Sequence, residues 1–110
     1  MALYAQASFK NSRVSTRQAT TSADVAPVTV SNVANTLVAA ANSNRTYITL
    51  RNENTTAGDD IRYDYFDNVN ILTEGFLIKA GEAVDLENQS AIYARAVANI
   101  VSLSVDEGQG

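Results

Sequence analysis

Five carboxylates crowd the middle of the chain, Asp59, Asp60, Asp64, Asp67 and Glu74, with Asn68 and Asn70 among them. Hard oxygen donors at that density are the chemistry of a calcium site. The spacing opposes it. An EF-hand loop needs oxygen ligands at its first, third and fifth positions followed by glycine, and in Asp64-Tyr65-Phe66-Asp67-Asn68 the third position is phenylalanine. Solvated loop acids are therefore expected, with no bound metal and no cofactor. Paired carboxylates also cleave glycosidic bonds, provided burial keeps one protonated across a groove from an ionised partner. A single domain of this size leaves little room for such a groove, and a non-enzymatic protein is expected.

The side chains that are missing narrow the chemistry further. The 110-residue chain has no Cys, no His and no Trp. That rules out a Cys/His zinc site, a thiolate nucleophile, an imidazole base and the usual serine triad. Disulfides are impossible as well, so the chain tolerates reducing and oxidising compartments equally.

Aromatic residues offer a different kind of site. Tyr47, Tyr63, Tyr65 and Tyr93 could stack on sugars or form a protein-binding patch. Tyr63 and Tyr65 alternate with Ile61, however, and so share one face of a strand. Sheet packing or a subunit interface is the expected role of that pair.

Charge is unevenly spread over a net of −4. Residues 1–27 carry Lys10, Arg13 and Arg17 against Asp24, whereas residues 28–110 carry five basic and eleven acidic side chains. An acidic body repels a phosphate backbone, and three basic residues spread through a polar segment are too few for a nucleic-acid footprint. An acidic protein lattice is the better partner for them. Residues 8–22 are dominated by Ser, Thr, Gln, Asn and Ala without a sustained period, and the single proline, Pro27, closes this stretch. Residues 1–27 thus read as an extended N-terminal arm, with Leu3, Tyr4, Phe9 and Val14 as spaced apolar anchors for another protein's surface. Fully extended, the arm could reach up to ~90 Å, against a radius of gyration of ~13 Å for a compact domain of this size.

Residues 28–110 change texture to short runs of β-branched and aromatic residues broken by Asn, Gly, Asp and Ser. Runs at 28–33, 36–40, 45–52, 61–66, 76–79, 83–86, 92–96 and 100–105 read as about eight strands, with turns at 42–44 and 80–82 and a loop over 53–60. Residues 67–75 are less regular, and 106–110 read as a polar tail. The Ala-rich stretch 33–41 leaves open one short helix. Together these predict an all-β domain, an antiparallel β-sandwich of jelly-roll type following the arm, with a small barrel as the other closed solution.

From Leu37 onward the wording of the chain resembles a group of small tailed-phage virion proteins that includes capsid decoration, or cement, subunits. The pieces that carry the likeness are Leu37-Val38-Ala39-Ala40, Asn42, Asn44-Arg45, Tyr47-Ile48-Thr49-Leu50-Arg51-Asn52, Leu77-Ile78-Lys79-Ala80-Gly81-Glu82, Ala91-Ile92-Tyr93-Ala94 and Val105-Asp106-Glu107-Gly108. The middle strand departs from the pattern in its richness in Tyr and Asp, and the arm is longer than the likeness covers. The resemblance implies a bacteriophage structural protein on the virion surface, bound to the major capsid protein or another virion protein and often a homo-oligomer, dimer or trimer. No stretch approaches the ~20 apolar residues of a membrane span, and the first residues lack a signal-peptide pattern. Synthesis in the host cytoplasm without membrane or nucleic-acid partners is expected. A receptor- or carbohydrate-binding module of a head or tail fibre is the alternative, and a major coat subunit a more distant one. The arm of the isolated subunit is expected to be the first part cut by trypsin, at Lys10, Arg13 and Arg17. Mass spectrometry of a limited digest checks this, and full protection of those three bonds contradicts it.

Overall fold

The computed structural model describes the backbone of residues 21–109 and the side chains of residues 27–109. Eight strands and one helical turn follow one another: β1 (Thr21–Val30), β2 (Thr36–Ala39), β3 (Arg45–Asn52), β4 (Ile61–Asp64), α1 (Ile71–Glu74), β5 (Phe76–Ile78), β6 (Ala83–Leu86), β7 (Ile92–Ala96) and β8 (Val101–Gln109). They form two four-stranded antiparallel sheets, ordered β1-β8-β3-β6 and β2-β7-β4-β5. The all-β expectation is met.

Period-two alternation sets which side chains each strand buries. In β3, Ile48 and Leu50 are fully buried while Arg51 is exposed; in β7, Ile92, Ala94 and Ala96 are buried and Tyr93 and Arg95 are not. Val101, Leu103 and Val105 of β8 repeat the pattern. These residues join Val30, Val38, Ile61, Tyr63 and Ile78 in one hydrophobic cluster drawn from both sheets. Among the described residues only β4 and β5 pair as neighbouring strands in sequence, so nearly every ladder is closed by residues far apart in the chain.

Several sequence expectations shift. The boundary at Pro27 falls inside β1, because Thr21–Val30 pairs with β8 and the missing proline N–H is absorbed where the register slips between Val25 and Val28. Residues 1–20 of the arm, including Leu3, Tyr4, Phe9, Lys10, Arg13, Val14 and Arg17, lie outside the described residues. Residues 33–41 contain strand β2 and no helix, and α1 interrupts the irregular stretch 67–75. The strand expected over 61–66 ends at Asp64.

The polar tail is a correction too, since β8 continues to Gln109. Its backbone is paired on both sides, Asp106 with Asp24 and Thr49 and Gly108 with Ser22 and Tyr47, so polar side chains there cost little. Gly108 belongs to this arrangement. A Cβ at that position would run into the Tyr47 ring, which occupies the space a side chain would need.

Among the described residues one cation is buried with the apolar side chains. Arg45 is 1% exposed at the start of β3. Its Nε donates to Glu107 Oε2 of β8 at 2.6 Å, Nη1 to the Asn88 and Ser90 carbonyls at 2.9 Å each, and Nη2 to the Ala40 carbonyl at 2.8 Å. Asn42 Nδ2 donates to the same Glu107 oxygen at 3.3 Å, and Gln89 Nε2 donates to the Arg45 carbonyl at 3.1 Å. A planar guanidinium suits this task, because it holds several acceptors in fixed directions at once. Replacing Arg45 by methionine leaves Glu107 and three carbonyls without their donor, and is expected to cost about 3–5 kcal/mol in urea unfolding. Arg45→Lys is expected to recover only part of that loss.

Candidate functional site

The five carboxylates singled out in the sequence fall into two groups. Asp59 and Asp60 sit in the β3–β4 connection, whereas Asp64, Asp67 and Glu74 surround the loop that leads into α1. Each accepts a hydrogen bond. Asp59 is buried and takes the Asn99 amide on Oδ1 at 2.9 Å and the Asn54 amide on Oδ2 at 3.1 Å. Those two bonds hold its carboxyl below the usual aspartate value, the Asn99 bond contributing most. Asp60 Oδ1 accepts the Ala80 N–H at 3.1 Å.

Asn68 organises the second group. It is 5% exposed, and its Nδ2 donates to both Asp64 Oδ2 and Glu74 Oε1 at 3.0 Å each. Its Oδ1 accepts the Asn70 N–H at 2.9 Å, and its carbonyl accepts Asn35 Nδ2 at 2.7 Å. The same Asn35 amide donates to Asp67 Oδ1 at 2.8 Å. Asparagine amides thus link the acids of this group to one another and to the backbone. Among the described residues, no three Asp, Glu, His or Cys side chains converge to hold a metal ion.

The tyrosines do not form one platform. Tyr47 lies on the first sheet over Gly108 and Tyr93 lies on the second. Tyr63 is in the core at 6% exposure. It packs edge-on against Tyr65, with ring centroids 6.1 Å apart, and against Phe76 at 5.3 Å. Core packing is thus the observed environment of Tyr63, and half-buried Tyr65 lies beside exposed Phe66 and Phe76 at the margin of that core.

The face of the second sheet turned away from the shared cluster has a different character. Leu37, Tyr93 and Asp64 form one cross-strand row, and Arg95, Arg62 and Leu77 form the next. The excursion 65–75 lies against this face. α1 touches β4 and β7, Ile71 is buried outside the shared cluster, and Arg62 Nη1 donates to the Gly75 carbonyl at 2.8 Å. Gly75 is glycine because a Cβ would approach the Ile71 and Tyr63 carbonyl oxygens to 2.7 and 2.9 Å. Between the excursion and the start of β2, a depression of about 330 Å³ is lined by Ala34, Asn35, Asp67, Val69 and Arg95. Sequence reading passed over Arg62 and Arg95, because opposing them on one face requires the β4–β7 register. The burial of Arg45 and the linking role of Asn68, which the sequence offered only as a neighbour of the acids, depend on tertiary contacts in the same way. The only hint was the abundance of asparagine near the acids.

No family model matches the chain, and neither curated proteins nor solved structures yield a similar one.

Burial gives one group here a pH signature. The Tyr63 phenol is pushed up to about 12, mainly by desolvation and further by the neighbouring Tyr65. Between pH 10 and about 12 the unfolded chain therefore releases a proton that the folded chain keeps, and stability falls across that window. Tyr63→Phe is expected to flatten this fall in urea unfolding measured at stepped pH; an unchanged slope contradicts it.

Proposed function

We propose that this chain is a non-enzymatic structural subunit of a virion, of the capsid decoration or cement kind, that sits on an outer capsid surface and ties neighbouring subunits together through its N-terminal segment. The observation that carries this reading is the division of charge along the chain. Residues 1–20 hold Lys10, Arg13 and Arg17 and no acid, whereas residues 21–110 hold five basic and twelve acidic side chains. The basic segment leads directly into β1, an outermost strand of its sheet. It therefore joins the fold at the periphery, from where its apolar anchors Leu3, Tyr4, Phe9 and Val14 can reach a neighbour.

The strand order supports the architectural part of the proposal. In the proposed reading the strand orders 1-8-3-6 and 2-7-4-5 belong to a jelly roll of two Greek keys, an architecture used by viral capsid proteins. Fold alone does not fix function, so the charge division carries the greater weight. Burial by the anchors yields roughly 25 cal/mol per Å² of apolar area. A few hundred Å² per copy, repeated over a shell, adds up even after the cost of ordering the segment. A second reading, a receptor- or carbohydrate-binding module of a phage fibre, draws on exposed Phe66 and Phe76 beside Tyr65, since aromatic faces suit sugar rings.

Particles assembled without this chain are expected to lose their contents at lower temperature, and after milder salt or chelator treatment, than particles that carry it. Adding back the full chain restores resistance, and adding residues 21–110 alone does not. Equal resistance with and without the chain removes the cement reading, and selective glycan-array binding then favours the fibre module.

A further inference from the structure

We infer that the depression beside Arg95 is a docking site for a carboxylate side chain of a partner protein, an Asp or Glu flanked by apolar neighbours. Arg95 and Arg62 are paired in register on adjacent strands β7 and β4, so two guanidinium groups rise side by side from one face. Like charges directly opposite one another repel, and an anion placed over them relieves the repulsion. Arg62 is already steered to one side by its bond to the Gly75 carbonyl. Arg95 is not. Its Nε is shielded from water and has no hydrogen-bond acceptor, and among the described residues no ion pair reaches its guanidinium.

Among the described residues no ion pair joins Arg95 to the acid that shares its depression. Asp67 lines the same depression, but its Oδ1 takes the Asn35 amide at 2.8 Å. Asn35 in turn is anchored to the Asn68 carbonyl, which holds the wall of the depression in place. A buried donor with no acceptor is uncommon in folded proteins. The Arg95 side chain lines a concavity of about 330 Å³, ample for one acidic side chain.

The surroundings select the source of the anion. Val69 is 86% exposed and Leu37 50% exposed, on the rim and in the adjoining row, and Leu77 ends the arginine row. Arginine with exposed apolar and aromatic side chains is the composition of a protein-binding surface. A nucleic-acid backbone would bring many phosphates towards a body with twelve acidic side chains against five basic ones, and would be repelled beyond the first contact. A single carboxylate between apolar neighbours brings only the charge the site can use. This inference is independent of the virion reading, because it concerns the isolated chain and a defined carboxylate.

The test follows the Arg95 Nε–H resonance and the Val69 methyl resonances of the full chain by NMR during titration with acetyl-Leu-Glu-Leu-amide. The matched probes are acetyl-Leu-Gln-Leu-amide, sodium acetate and sodium phosphate. The expected result is a saturable shift with the Glu peptide, at least tenfold weaker binding of the Gln peptide, and loss of the response in Arg95→Gln. Val69→Asp, at an exposed rim position that leaves the fold intact, is expected to weaken binding at least fivefold. Arg51→Gln, on the first sheet, is expected to leave it unchanged. Equal shifts from the Glu and Gln peptides overturn the inference. So does equal saturation by acetate or phosphate, which marks a general anion site, or a full response in Arg95→Gln or Val69→Asp. None of these outcomes bears on particle stability, which tests the virion reading separately.

Discussion

The Arg45 guanidinium is the interaction on which the arrangement of strands most depends. It sits where the chain turns from the end of β2 into β3, and it binds the β2 exit at Ala40, the β6–β7 connection at Asn88 and Ser90, and Glu107 near the end of β8. Those three segments are far apart in sequence and belong to both sheets or the links between them. A charge this deeply enclosed is tolerable only when its hydrogen-bonding capacity is used, and four of its five N–H groups have acceptors. An apolar residue there would fill space without specifying which strands meet.

Asparagine does at the loops what Arg45 does at the strand ends. Asn52 is buried and donates to the Asp59 carbonyl at 2.8 Å, while its Oδ1 accepts the Asn54 N–H at 3.0 Å. Asn54 then reaches Asp59 and the Ile100 carbonyl, and accepts the Ser102 N–H. Asn68 repeats the device beside α1. A primary amide offers two donors and an acceptor without net charge, so it can link a carboxylate to backbone groups and lower the cost of enclosing both. The acidic loops thereby become structural, since Asp59, Asp64, Asp67 and Glu74 each accept from an asparagine amide.

The two faces of the second sheet differ in character. One face is committed to the shared cluster. The other carries two arginines, a tyrosine and several exposed apolar residues, partly covered by the 65–75 excursion that Gly75 and Ile71 hold down. Within an acidic chain, this arginine pair and, along the sequence, Lys10, Arg13 and Arg17 are two groupings of positive charge.

Much of the strand pattern was legible in the sequence. The alternation of Ile48 and Leu50 with Thr49 and Arg51 places β3 correctly, and the polar breaks at 42–44 and 53–60 place its ends, because burial on one face imposes period two on any strand. Side-chain identity also removed thiol and imidazole chemistry at once, since no fold can supply an absent functional group. Pairing was decided only by tertiary structure. Pro27 looked like a boundary because it closes a polar stretch without a sustained period, yet the outermost strand β1 tolerates it at a register slip. The segment 106–109 looked like a tail because it is polar, yet β1 and β3 enclose its backbone from both sides. Nothing local marks Arg45 as buried or sets Arg62 opposite Arg95. Those facts arise from ladders between distant strands, whose register depends on the whole hydrophobic cluster closing at once.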